Sequence, residues 1–286
     1  MTVKSVTVIG LGPMGQAMAA AYLDRGYEVT VWNRTPGKAD GLVARGAHRA
    51  DTVEAAFKAN DLVVLSLTDY TAVYAILEQA PGALAGRTVA NLTSDTPDRA
   101  REAAEWLAAR GAVQITGGVQ VPPPGIGTPD AMTYYSGPEK AIETHRTALE
   151  VLTGIDYLGE DPGLAALYYQ IGMDMFWTGL VGFLHGQALA QANGISAREF
   201  LPNAVKTMDF RYFLEFYAPR IDAGNHEGDV DNLTMGAASL EHVLHTAQAS
   251  GVDGSLPAAV LDLFRRGIAA GHGQDSLTSL TKVLKG

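Results

Sequence analysis

Residues 5–15 read SVTVIGLGPMG, a β-branched run that enters a glycine-rich turn and passes straight into an alanine- and methionine-rich segment. No other feature limits the fold as narrowly. Gly10-Leu11-Gly12-Pro13-Met14-Gly15 is a GxGxxG set between a strand and a helix, the context that separates a dinucleotide fingerprint from an incidental cluster of glycines. Gly10 permits the tight turn, and Gly12 lets the backbone approach a pyrophosphate at the helix N-terminus. Gly15 lets helix and strand pack closely. All six residues are expected at the cofactor.

The alternation continues. Short β-branched runs at 28–32, 62–65 and 88–90 are separated by helical patterns. Thr96 is placed to cap a helix over 96–110 with Pro97 in its first turn. Strands spaced by helices form βαβ units and hence a parallel sheet. The stretch 117–127, GGVQVPPPGIG, is predicted to be a loop, followed by a strand at 132–135 and a helix over 138–152. After Asp161 the pattern is helical throughout: Pro162 opens a helix reaching residue 192, and further helices follow over 197–217, 235–250 and 256–270. The expected architecture is an α/β Rossmann domain over 1–161, a long interdomain helix over 162–192 and an all-α domain over 193–286. A helix of roughly 30 apolar residues, about 45 Å long, exceeds what the short helices of one chain can cover. This predicts a domain-swapped homodimer in which the C-terminal helices of each chain pack on the other's long helix.

The end of the second strand selects the cofactor. Trp32-Asn33-Arg34-Thr35, then Lys38, offers no carboxylate for a ribose 2′-hydroxyl. Arg34 and Lys38 suit a 2′-phosphate, with Asn33 and Thr35 as hydrogen-bonding partners, which predicts NADP(H). Further contacts are expected where later strands end: Leu67 and Thr68 after one, Asn91, Thr93 and Ser94 after the next.

A net charge of −10 makes nucleic acid or an anionic membrane an improbable partner. With no cysteine there is no thiolate nucleophile and no disulfide, and no metal site is expected; this fits a cytoplasmic protein. The N-terminal residues lack the layout of a signal peptide.

GLGPMG, VTVWNRT, ANLTSDTP, GGVQVPPPGIG and the helix opening DPGLAALYYQ together resemble the imine reductases and reductive aminases, a family related to the β-hydroxyacid dehydrogenases. The resemblance covers essentially the whole chain. It implies reduction of imines, or of the products of ketone–amine condensation, with NADPH. The β-hydroxyacid branch needs a lysine early in the interdomain helix, and this chain has none between Lys140 and Lys206. By the resemblance Tyr169 stands at the family's catalytic position, with Trp177 at a second aromatic one. Residues 169, 173 and 177 share a helix face, so Met173 joins them. Ser94 is expected to hydrogen-bond the amine or relay a proton. Asp174, the lone carboxylate of this apolar helix, is a second candidate proton donor or a partner for a cation of the other chain. It lies about 140° around the helix from Tyr169. Val119 and, from the partner chain, Phe210, Phe213, Leu233, Met235 and His242 complete the expected pocket. The rival readings are a hydroxyacid dehydrogenase with a substitute for lysine, and an NADPH-binding sensor without catalysis.

Overall fold

The computed structural model describes residues 4–285. Internal contacts divide the chain into two units, Met1–Asp174 and Met175–Gly286.

The first unit is built on the strands β1 (Ser5–Ile9), β2 (Glu28–Trp32), β3 (His48–Arg49), β4 (Leu62–Leu65), β5 (Thr88–Asn91), β6 (Val113–Val119), β7 (Met132–Ser136) and β8 (Gly154–Tyr157). Between them run the helices α1 (Pro13–Asp24), α2 (Asp40–Val43), α3 (Val53–Ala59), α4 (Tyr70–Leu77), α5 (Pro97–Ala108) and α6 (Glu139–Leu149). The strands form one sheet in the order β3-β2-β1-β4-β5-β6-β7-β8, parallel except where β7 returns antiparallel to β6. Both faces are covered, as the unbroken apolar runs require. Val8, Val31, Val64 and Ile115 meet α1 and α6 through Met18, Tyr22 and Ile142. On the other face Ile9, Val63, Leu65 and Val89 meet α3, α4 and α5 through Phe57, Val73, Leu77 and Leu107. Alternate residues of one strand thus feed opposite cores, which fixes the register.

The expected loop at 117–127 is corrected by this sheet. Gly117 and Gly118 belong to β6, paired with Tyr135 and Tyr134 of β7. They are glycines because neighbouring atoms fill the space of a side chain: a Cβ on Gly117 would collide with Leu92 and Tyr135. The irregular segment begins only after Val119, with a short turn at Pro123–Gly125.

A long helix, α7 (Leu164–Ala192), starts in the first unit and continues into the second. Its start is anchored by Asp161, whose carboxylate receives two hydrogen bonds of 2.8 Å from the Arg101 guanidinium and one of 2.9 Å from the Gly163 N–H. The Arg101 guanidinium, then the Gly163 N–H, hold this carboxyl below the usual aspartate range.

The second unit adds α8 (Ala197–Thr207), α9 (Arg211–Asp222), α10 (Leu233–Ala249), α11 (Ser255–Gly267) and α12 (Leu280–Leu284). Ser196 and Glu199 form a reciprocal capping box at the start of α8. The single helix expected over 197–217 is two, because the chain breaks at 208–210, where Asp209 accepts the N–H of Arg211. The loop before α10 is held by Asp231, which accepts from the Tyr217 hydroxyl, the Ser276 hydroxyl and the Leu277 N–H. Among the described residues no helix is long and apolar enough to cross a membrane.

Gly10 and Gly12 separate folding from function. Gly10 has φ 95°, and a Cβ there would overlap the Ser66 carbonyl, whereas Gly12 has an ordinary φ of −67° and nothing within 4 Å of a Cβ. Gly10→Ala is expected to cost on the order of 2–3 kcal/mol, lowering the thermal midpoint by at least about 4 °C. Gly12→Ala should melt within about 2 °C of the parent and instead lose affinity for the dinucleotide. Thermal melts and NADPH titrations of the two variants check both outcomes.

Candidate active site

At the carboxyl edge of the sheet, where the connections from β1 and β4 part in opposite directions, lies a cleft of about 870 Å³. In open parallel sheets this switch point is where ligands bind. All its lining residues belong to the first unit. Gly12 caps α1 without a side-chain partner, and Pro13 at the first position has no N–H to donate. The N–H groups of Met14 and Gly15 have no acceptor within the helix, so the turn presents donors and positive dipole to an anion. The open space over Gly12 is where a phosphate fits.

Asn33, Arg34, Thr35 and Lys38 line the cleft beside β2. Among the described residues neither Arg34 nor Lys38 has an ion-pair partner, although a carboxylate follows at Asp40, which pairs with Arg49 at 3.1 Å. Asn33 is engaged differently: it accepts the Leu11 N–H at 3.0 Å and donates to the Thr35 carbonyl at 3.0 Å. Its amide ties the glycine turn to the β2 loop, and its capacity for a phosphate is correspondingly reduced. An NADP(H) fits the cleft on these grounds: open backbone donors, a glycine cradle and two unpaired cations.

Four further assignments change. Leu11 is fully buried and its N–H is taken by Asn33. A Cβ on Gly15 would overlap the Gly10 carbonyl, so this glycine serves helix–strand packing and offers the cleft only its N–H. Asn91 and Thr93 are buried beneath the surface; Asn91 accepts the Thr93 N–H at 3.2 Å, and Thr93 Oγ1 accepts the Leu67 N–H at 3.2 Å. They shape the loop, while Leu92 and Ser94 reach the cleft, because side chains alternate at a strand end. Leu67 and Thr68 line it as expected. Sequence reading missed the α4 face of Ala72, Ala75 and Ile76, and the segment Val121-Pro122-Pro123, all of which line the cleft. An amphipathic helix and a proline run carry no mark of which ligand they face.

Away from β2, on the side of β5 and β6, the same cleft is lined by Ser94, Gly118, Val119 and Tyr169. A Cβ on Gly118 would stand 2.8 Å from Tyr169 Cβ and 3.0 Å from the Ala165 carbonyl. Glycine at 118 therefore allows the first turn of α7 to lie directly on β6, which brings Tyr169 to the cleft. Gln170, a residue with no mark in the sequence, donates from Nε2 to Ser94 Oγ at 3.2 Å and to the Asp95 carbonyl at 3.1 Å. Met173 is part-buried and does not line this cleft. Asp174 is exposed on the single chain. In the second unit Trp177 is 61% exposed, packed edge-on to Phe176, and Phe210, Phe213, Met235 and His242 are exposed as well. Leu233 is fully buried against Gly267, inside that unit's own core, and is not a pocket residue.

Comparison with known proteins agrees with this site. Residues 5–159 match the NAD binding domain of 6-phosphogluconate dehydrogenase, and residues 161–286 match the C-terminal domain described as NADPH-dependent reductive aminase-like. An NADPH-dependent reductive aminase from Aspergillus oryzae is 33% identical over 99% of this chain and 97% of its own length. An imine reductase structure from Bacillus cereus is 60% identical, covers 99% of both chains and superposes with a TM-score of 0.93. A reductive aminase from Aspergillus terreus, solved with NADPH and ethyl-5-oxohexanoate, is 37% identical over 99% of this chain and 100% of that chain, with a TM-score of 0.92. A glycine cradle with unpaired cations, a tyrosine seated on β6 by Gly118, and similarity over the full length together place this chain in the family of NADPH-dependent imine reductases and reductive aminases.

Proposed function

We propose that this chain reduces the C=N bond of cyclic imines, and of imines condensed from a ketone and an amine, with NADPH. The carrying observation is where charge sits in the cleft. Among the described residues the only cations that line it, Arg34 and Lys38, stand at the β2 end, and the end holding Tyr169 offers a phenol, a serine hydroxyl and apolar walls. A hydroxyacid would need a cation there to pair with its carboxylate. A substrate that is neutral, or positive at nitrogen, needs none, and aromatic faces attract a cation by about 1–2 kcal/mol.

Bound at the cradle, NADPH supplies the hydride. Tyr169 orients the substrate nitrogen and donates a proton to it, and Ser94 hydrogen-bonds the same substrate. Arg34 and Lys38 select the phosphorylated cofactor.

The active form is proposed to be a homodimer. On α7, Met175, Trp177 and Leu184 are 57%, 61% and 60% exposed, and in the following helices Val205 and Tyr212 are 63% and 69% exposed. A helix apolar on all sides is ordinarily buried, and a second copy of the chain is the proposed cover. Phe210, Phe213, Met235 and His242 are then candidates to close the pocket from the partner.

Three outcomes follow. Tyr169→Phe should lower kcat for pyrroline-type imines by about 100-fold, as loss of a proton donor does, with the Kd for NADPH unchanged. Unaltered turnover of every imine in the panel would remove the phenol from the chemistry, and turnover of hydroxyacids with NADP⁺ instead of imines would replace the reading. The double variant Arg34→Ala, Lys38→Ala should weaken NADPH binding at least about tenfold, since a charge-assisted hydrogen bond contributes about 1.5–3 kcal/mol, while NADH binding stays as it was. Sedimentation equilibrium at micromolar concentration should give twice the chain mass; a monomer mass would dismiss the dimer.

A further inference from the structure

We infer that Gln170 is a positioning residue for the reaction, and that its carboxamide turns Ser94 into a hydrogen-bond donor facing the cleft. The inference rests on the imine-reducing reading for what Ser94 meets, and on geometry alone for how Ser94 is held.

The orientation of the amide follows from its partners. The Asp95 carbonyl 3.1 Å away can only accept, so the Gln170 group facing it is the NH2. The same nitrogen lies 3.2 Å from Ser94 Oγ, which therefore accepts as well. A hydroxyl that accepts one hydrogen bond keeps its own hydrogen to give. Among the described residues that hydrogen has no acceptor, and Ser94 is exposed and lines the cleft that Tyr169 also lines. The donated hydrogen suits the lone pair of a ketone oxygen, or that of a neutral imine nitrogen before the Tyr169 proton reaches it. Chains of hydrogen bonds polarise one another, so the amide also strengthens the donor that the substrate meets.

The remaining contacts explain why a tether from α7 is needed. The Asp95 carboxylate accepts the Tyr70 N–H at 3.1 Å and the Thr96 N–H at 2.7 Å, which fastens the far side of this loop to α4 and α5. Nothing but Gln170 fastens Ser94 among the described residues. Tyr169 and Gln170 are adjacent on α7, so one turn of helix, seated on Gly118, sets the distance between the phenol and the serine hydroxyl.

The test uses the full-length enzyme with Gln170→Glu, Gln170→Met, Ser94→Ala and the Ser94→Ala, Gln170→Met pair. Kinetics are measured with a cyclic imine, alongside the Kd for NADPH and backbone hydrogen exchange. Gln170→Met should lower kcat on the order of tenfold with cofactor affinity within about twofold of the parent, and should add nothing in the Ser94→Ala background. Gln170→Glu keeps the shape but presents acceptors. Its kcat should be lowest at neutral pH and rise as pH falls and the new carboxyl is protonated, because a protonated carboxyl can donate again. The parent should show no such recovery. Additive losses in the pair, a Gln170→Met kcat within about twofold of the parent, or a Gln170→Glu profile parallel to the parent's would each overturn the inference. A parent enzyme that turns over no imine would refute the proposed function instead. In that event the tether is judged by exchange at Asp95 and Thr96, which Gln170→Met must accelerate for the geometric part to stand.

Discussion

Where α7 crosses β6 there is room for backbone only. Gly118 contributes no side chain, and the Ala165 carbonyl and the Cβ of Tyr169 lie in the space a side chain would take. Arg101 fixes the same helix start through Asp161, which in turn accepts the Gly163 N–H. With the helix pinned at this height, Tyr169 faces the cleft and Gln170 reaches the β5–α5 loop. A methyl group at 118 would push the first turn outward and separate these groups, so this end of the cleft depends on one close approach.

The cofactor end depends on a different economy. The turn after β1 leaves its backbone donors unused, and Asn33 holds that turn to the β2 loop from which Arg34 and Lys38 project. Cation and cradle are thereby set on two strands that are neighbours in the sheet. The two ends of the cleft differ in charge: guanidinium and ammonium at one, hydroxyls and apolar walls at the other. That asymmetry keeps the groups suited to a highly anionic cofactor apart from the hydroxyls and apolar walls at the other end.

Much of this was legible in the chain as written. The glycine turn is readable because its cause is local: a strand, a sharp turn and a helix start within eleven residues. The cations after β2 are readable because a missing carboxylate at a known offset has one electrostatic meaning. Tyr169 was identified by resemblance, and the cleft does contain it. What misled was direction. Leu11, Asn91 and Thr93 lie at the right places in the sequence yet face inward, since successive residues at a strand end point to opposite sides. Gly117 and Gly118 resembled a loop because glycine and proline follow one another there, although only the prolines interrupt the sheet.

By itself the sequence determined the parallel sheet, the nucleotide turn, the preference for a phosphorylated cofactor and a long apolar helix without lysine. These follow from periodicity and short-range chemistry, which a linear text records. Only the tertiary structure decided that Gly118 is a landing for α7, that Ser94 rather than Asn91 or Thr93 reaches the cleft, and that Gln170 grips a loop some 75 residues away. Those outcomes depend on which distant surfaces come together, and a hydrogen bond across that separation leaves no periodic or compositional trace in the residues that make it.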